Sequence, residues 1–376
     1  MNLIYFYIWY IFQYNDIKRI DDRAIKMRIL ITGGLGFVGS HVAEYYASKG
    51  MDVAILDNLS RANQYNMPEK MSSYNLNYLK SNYDNIHFIK GDIRESGDLS
   101  EAAKDAEIIF HLASQVAVTS SIKNPRLDFE INALGTFNVL ETARKSSTNP
   151  IVIYASSNKV YGLNVNNIPV EEKETRYSFA SEDFSDGIPE DFSIDLCKHT
   201  PYGCSKLAGD LYVQDYASVY GLKTGVFRMS CIYGERQFGV EDQGWLAWFT
   251  IATVMEKPIT IYGDGKQVRD ILHVSDLVRV YDAFVRSRHL KSGLFNVGGG
   301  LHNTLSLLEA LDLIEKYSNK KATLSFEEPR SGDQKVYVSN IEKARYFLDW
   351  RPKIGVNEGV ERLVYWVQKN KDLFDW

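Results

Sequence analysis

Tyr202-Gly203-Cys204-Ser205-Lys206 sets a phenol and an ammonium four residues apart. On a helix such positions share one face, so both groups would point at the same site. A free tyrosine titrates near about 10. A neighbouring cation favours the phenolate, which would make Tyr202 a base towards a hydroxyl. A second candidate is Ser157, within Tyr154-Ala155-Ser156-Ser157-Asn158-Lys159-Val160-Tyr161-Gly162. It follows a β-branched run, and ligands of α/β sheets bind at the C-terminal ends of strands. From there its hydroxyl could align a substrate hydroxyl with Tyr202. Neither motif is specific alone. Tyr-x-x-x-Lys pairs are common on solvated helix faces, and most isolated serines in such a place only cap a turn.

A glycine-rich stretch supplies the context. Gly33, Gly36 and Gly39 recur at i, i+3 and i+6, with Phe37 and Val38 opening a helical pattern. The first glycine suits a tight strand-to-helix turn. The second lets backbone N–H groups approach a pyrophosphate at the helix N-terminus, and the third allows helix and strand to pack closely. Asp57 stands at the end of the next apolar run, eighteen positions after Gly39. A carboxylate there accepts hydrogen bonds from a ribose and repels a 2′-phosphate, which favours NAD over NADP. Arg61 lies near enough to weaken that preference. The positive nicotinamide ring would join Lys206 in favouring the Tyr202 phenolate.

These groups need strands and helices to position them. From Met27 onward, short β-branched runs alternate with helical stretches, the pattern of a parallel sheet with crossover helices. Strands are expected at 28–32, 52–56, 86–89, 108–112, 151–154 and 223–227. Helices are expected at 38–49, 128–145 and 202–220. Two stretches interrupt the rhythm. Residues 163–200 form a polar segment whose length suggests a functional loop or disorder. Beyond Arg228 the alternation loosens, and a strand at 293–297 is expected in a smaller second lobe.

The chain has 376 residues and a formal net charge of −5, so no broad cationic field draws it to nucleic acid or anionic lipid. Its three cysteines, Cys197, Cys204 and Cys231, have neither disulfide nor zinc spacing, and no metal is expected. Cytoplasmic residence follows from the same features. Leu3 to Phe12 are ten apolar or aromatic residues, short of the roughly 20 that span a bilayer. Residues 1–26 are read as an extension from an overlong start, with a membrane-surface anchor as the alternative.

Together the glycine turn, Ser157 and the Tyr202/Lys206 pair resemble the extended short-chain dehydrogenase/reductases, or NAD-dependent epimerases and dehydratases, from Met27 to the C-terminus. Similar segments are Gly91-Asp92-Ile93, His111-Leu112-Ala113-Ser114, Phe227 to Gly234, Gly263 to Asp270 and Arg330-Ser331-Gly332-Asp333. The resemblance implies a doubly wound α/β Rossmann fold with a smaller C-terminal α/β lobe. Residues 27–229 would bind NAD and carry the catalytic groups, and 230–376 would form a partly interleaved sugar-nucleotide lobe. Besides the glycines, Phe37, Val38 and Asp57, it implies NAD contacts at Asn58, Ser60, Arg61, Asp92, Ile93, Leu112, Ala113, Gln115, Asn132, Tyr154, Ser156, Tyr202 and Lys206. Ser157, Tyr202 and Lys206 would be catalytic. Gln115, Ser157, Asn158, Lys159, Ser230, Arg236, Gln237, Gln243, Trp245, Arg269, Arg330 and Asp333 would meet a nucleotide sugar.

Within the family, Ser156 to Gly162, Glu174 to Tyr177, Pro201 to Lys206, Tyr233 to Phe238, Asp242 to Trp245 with Trp248-Phe249, and Gly265 to Asp270 are most similar to 2-epimerases of CDP-linked sugars. That branch looks to carry threonine where Ser157 stands, which keeps the hydroxyl. The family's 4,6-dehydratases look to carry acids where Asn158 and Lys159 stand, and neither of these side chains can protonate a leaving hydroxyl as a carboxylic acid would. The implied reaction is inversion at C2 through transient oxidation by NAD and return of the hydride to the opposite face. The alternative is a 4-epimerase of a UDP- or GDP-hexose. A homodimer or homotetramer is expected, built on the helices at 128–145 and 202–220.

Overall fold

The apolar runs pair side by side in a seven-stranded parallel sheet. The computed structural model describes residues 27–330 and 332–375, so the readings for 1–26 lie outside the described residues. The strands are β1 (Arg28–Thr32), β2 (Asp52–Asp57), β3 (Ile86–Lys90), β4 (Ile108–His111), β5 (Ile151–Ser157), β6 (Thr224–Met229) and β7 (Ser292–Val297). Their spatial order is β7-β6-β5-β4-β1-β2-β3. Strands covered on both faces read as continuous apolar runs, and Ile29, Leu30, Ile31, Val53, Ile55, Ile108 and Ile109 are all buried. The chain winds outward from β1 in both directions, so a crevice opens between the C-terminal ends of β1 and β4. The expected strand at 293–297 is corrected in place: it extends the main sheet beside β6 as β7, with Phe295 opposite Phe227.

Local chemistry explains the helices that carry function. The helix Phe37–Ala47 starts straight out of the glycine turn. A Cβ on Gly39 would lie 2.2 Å from the Gly33 carbonyl oxygen, so only glycine lets helix and strand approach this closely. The helix Pro201–Tyr220 has proline in its first turn. Thr200 caps it by accepting from the Gly203 N–H, and Gly221 ends it at φ +71°. The helix expected at 128–145 begins earlier, because Asn124 caps Pro125–Phe129. A π-turn at Glu130–Leu134 then leads into Gly135–Lys145.

The segment 163–200 is ordered. It holds a hairpin of Val170–Glu172 with Tyr177–Phe179. Phe179, Phe184, Phe192 and Ile194 pack on Val160, Tyr161, Ile188 and Tyr337. The second lobe has its own apolar core, where Phe249 and Ile251 from the helix Trp245–Val254 meet Leu311, Ile314, Leu363 and Val364. Among the described residues no helix is long and apolar enough to cross a membrane, and no cluster of metal-ligating side chains occurs. The three cysteines are free.

Candidate active site

A cleft of about 780 Å³ runs along the C-terminal ends of β1, β2 and β4. The glycine turn lines one side, with Gly33, Gly36, Phe37, Val38 and Gly39. Asp57, Asn58, Ser60, Arg61, Asp92, Ile93, Leu112, Ala113 and Gln115 continue the wall, and Ser156, Tyr202 and Lys206 close its far end. Most of the residues from which dinucleotide contacts are expected thus line one cleft. The Asp57 carboxylate accepts from the Leu35 N–H at 3.0 Å and the Leu59 N–H at 2.8 Å. That fixes it at the cleft wall, and each oxygen has a further lone pair for a ribose hydroxyl. A Cβ on Gly36 would meet only the Gly33 carbonyl oxygen, so backbone and open space face the helix N-terminus, as a pyrophosphate requires. These donors fit a dinucleotide.

Four of the residues expected to touch the dinucleotide spend their side chains on protein partners, and two of them, Tyr154 and Asn132, lie outside the cleft lining. Tyr154 is fully buried behind the cleft, not in its lining. Its hydroxyl donates to the Lys206 carbonyl at 3.2 Å, and its ring lies 4.4 Å beneath the Lys206 ammonium. It fits under the helix because Gly209 has no side chain; a Cβ there would stand 2.4 Å from the phenol oxygen. Asn132 is also behind the wall, accepting from Ser114 Oγ and the Gln115 N–H and donating to Asp128 and Ser205. Gln115 reaches the cleft, but its amide closes a turn on Ala117 and Asp128. The Ser156 hydroxyl donates to buried Asp210 at 2.6 Å.

Strand β5 delivers Ser157, and the first two turns of the helix Pro201–Tyr220 deliver Tyr202 and Lys206. The Ser157 hydroxyl accepts from the Lys159 N–H at 3.2 Å and lies near enough to Tyr202 to act on its phenol. Burial pushes the Tyr202 phenol up to about 12; the Ser157 bond opposes this and the Asp128 charge adds to it. Burial pulls the Lys206 ammonium down to about 7, while Asp210 and Asp128 hold it up. Lys206 and the nicotinamide ring are both expected to favour the phenolate, and burial weakens the contribution of Lys206. Desolvation disfavours both charged forms, so a Tyr202 phenolate gains from any further positive charge beside it, such as the nicotinamide ring expected here.

On the substrate side, Arg236, Gln237 and Gln243 line the same cleft. Gln237 Oε1 is buried without a hydrogen-bond partner among the described residues, which suits a ligand donor. Asn158 donates to Gln334 at 3.3 Å, and the Lys159 ammonium lies 3.5 Å from the Gly332 carbonyl. Burial draws that ammonium down to about 8, with Asp333 raising it and Arg269 lowering it. Arg269 pairs with Asp333. Arg330 lies 3.9 Å over the Tyr262 ring and 3.5 Å from Asp242. The two guanidinium groups thus rest on carboxylates of the second lobe. Ser230 is turned to Asp270, and the Trp245 ring packs edge-on against Phe249 away from the cleft.

Two buried carboxylates escaped the sequence reading. Asp210 forms a bidentate pair with Arg228 at 3.0 and 3.1 Å. Asp128 accepts from Ser205, Gln115 and Asn132. Their signal was spacing: Asp210 follows Lys206 by four residues, and Asn132 follows Asp128 by four, on shared faces.

A parallel sheet with its glycine turn, acidic ribose contact and Ser–Tyr–Lys group defines a dinucleotide-dependent enzyme acting on a hydroxyl-bearing substrate. The chain belongs to the NAD dependent epimerase/dehydratase family, whose model matches residues 29–298. It is 42% identical over 348 residues to CDP-paratose 2-epimerase of Salmonella typhi, spanning 90% of this chain and 99% of the relative. It is 30% identical to UDP-glucuronate 4-epimerase of Thermodesulfobacterium geofontis, over 92% of this chain and 97% of that one. The crystal structure of Thermus thermophilus UDP-glucose 4-epimerase in complex with NAD superposes with a TM-score of 0.73 at 28% identity, covering 92% of this chain and all of that one.

Proposed function

We propose that this enzyme, an NAD-dependent nucleotide-sugar epimerase, inverts C2 of a CDP-linked 3-deoxy sugar of the paratose kind. The observation that carries the choice of carbon is the 42% identity to the Salmonella typhi 2-epimerase across nearly its whole length, against 30% to a 4-epimerase. Asn158 and Lys159, immediately beyond Ser157, support epimerisation over dehydration, because neither offers the carboxylic acid that the family's 4,6-dehydratases look to carry there.

NAD, when bound, supplies the hydride acceptor and donor. The protein's own share is acid–base work and positioning. Tyr202 takes the proton of the C2 hydroxyl and later returns one, Ser157 aligns that oxygen, and Lys206 holds the nicotinamide ribose and the charge balance of Tyr202. Asp57 and Asn58 take the adenosine ribose. Arg269 and Arg330 exchange Asp333 and Asp242 for the substrate diphosphate, whose oxygens match a guanidinium fork. A ketone at C4 would acidify C3 and not C2, so inversion at C2 requires oxidation at C2 itself or cleavage between C2 and C3. Direct oxidation uses only the groups present.

The test is a panel of CDP-, GDP- and UDP-sugars, followed by substrate deuterated at C2 and NMR of the product. Direct oxidation returns the label to C2 on the opposite face. Inversion at C4 with C2 untouched would establish the second reading, a 4-epimerase of a UDP- or GDP-hexose, which the 4-epimerase relatives favour. Inversion at C2 with two-fragment intermediates would keep the reaction and replace the route.

A further inference from the structure

Arg61 stands four residues after Asp57, on the cofactor side of the cleft, yet its guanidinium reaches into the second lobe. Nη1 donates to Gln243 Oε1 at 2.6 Å and Nη2 donates to the Phe238 carbonyl at 2.6 Å. Both acceptors belong to the loop between the strand Cys231–Tyr233 and the helix Trp245–Val254. Val240 and Gln243 exchange backbone hydrogen bonds at 2.9 Å, so one guanidinium grips both arms of a closed turn. Arg236, Gln237, Phe238 and Gln243 line the cleft opposite the glycine turn, so this loop forms its outer wall.

The other end of the loop is fastened independently. Arg236 donates to Glu44 at 2.6 Å and stacks 4.4 Å over Tyr78, while the His41 ring bonds the Glu235 carbonyl at 2.8 Å. His41 and Glu44 lie on the helix Phe37–Ala47, whose first turn faces the pyrophosphate position. The loop is therefore tied to the cofactor domain at two places, with the dinucleotide cleft between them. The Arg236 anchor is attached to the cradle itself. The Arg61 anchor is two hydrogen bonds from one half-buried side chain, and it is the only strut of the two that stands beside the adenosine end.

We propose that Arg61 is a strap that holds the loop 235–243 across the bound dinucleotide, so that cofactor release requires the Arg61 contacts to break. A cofactor recycled within one turnover must outlast both half-reactions, and a wall latched from the cofactor's own side gives that persistence without further contacts to the dinucleotide. The same contact places Gln243, so Arg61 positions a group on the substrate side as well. It also bears on the choice of cofactor: both terminal nitrogens of Arg61 already donate to the loop, so a 2′-phosphate would have to share them.

The inference rests on a dinucleotide occupying the cleft, and not on which sugar carbon is inverted. Its test is the rate at which purified holoenzyme loses NAD to a fluorescent analogue added in excess. Hydrogen bonds to a charged group contribute enough that losing both should speed release by about tenfold or more in Arg61→Met. Gln243→Ala, which removes one acceptor and leaves Arg61 its bond to Phe238, should fall between wild type and Arg61→Met. Circular dichroism confirms that each variant is folded. Unchanged release from folded Arg61→Met and Gln243→Ala would overturn the strap. So would a main effect on NADP affinity with NAD release unaltered, which would make Arg61 a specificity residue. Wild-type protein that binds no NAD would instead remove the function itself.

Discussion

Burial sets the chemistry of single residues here, in ways that spacing did not reveal. The i, i+4 pairing placed Tyr202 and Lys206 together, and the glycine turn with Asp57 placed them beside a dinucleotide cleft. The direction of their titration was not legible, because desolvation depends on the whole enclosure. Tyr202→Phe is expected to lower turnover by about 10²–10⁴-fold, the usual cost of losing a positioned base. The variant should still retain NAD, since Phe keeps the ring in the wall; an active Tyr202→Phe enzyme would remove the phenol from the reaction. Lys159 carries a pH dependence. Burial draws its ammonium down to about 8, so its charge is present below that pH and lost above it. kcat/KM, which reports groups of the free enzyme, is expected to fall as pH rises through about 8. Arginine stays charged throughout this range. The limb at about 8 should vanish in Lys159→Arg, leaving only the fall through about 7 expected of Lys206, and its persistence there would assign it to another group.

At the scale of elements, the sheet was the most legible part of the molecule. Strands buried on both faces advertise themselves as β-branched runs, and all seven were located within a few residues. The seventh, β7, was assigned to the wrong lobe because Gly293 and Asn296 break its apolar run, and only pairing with β6 shows where it goes. The ordered segment 163–200 was missed because its aromatic anchors are scattered among acidic residues. What binds β6 to the catalytic helix was likewise invisible: Arg228 on the strand and Asp210 on the helix form a buried ion pair, joined by the Ser156 and Tyr161 hydroxyls. Removing one partner leaves an uncompensated buried charge, which typically costs about 3–5 kcal/mol. Arg228→Met should therefore lower stability by that amount in urea unfolding, far more than loss of an exposed pair such as Arg345–Glu342. A cost under about 1 kcal/mol would mean that Asp210 reaches water or takes a proton in the variant.

For the whole molecule, exposed apolar side chains among the described residues gather on two adjacent helical segments. Phe129, Leu134, Leu211, Tyr212, Val219 and Tyr220 are exposed on the helical segments Pro125–Lys145 and Pro201–Tyr220, with Ile122 on the adjoining helix Val118–Lys123. Their inner faces already cover the sheet through Val139, Leu140, Ala143, Val213 and Tyr216, so these helices are apolar on two sides. A helix that is apolar on two sides is enclosed on both. Scattered exposed apolar residues are normal, but a contiguous set on adjacent helices marks an association surface. An isologous contact would bring the same two helices of a second copy against these, burying the patch symmetrically. We expect a dimer by light scattering at micromolar concentration. Leu211→Asp with Tyr212→Asp should shift it to monomer by setting two charges, each repeated by symmetry, in the centre of the contact. Leu211 and Tyr212 do not line the cleft, so the monomeric variant should still take up NAD. Monomer at every concentration in the unmodified protein would reject the interface.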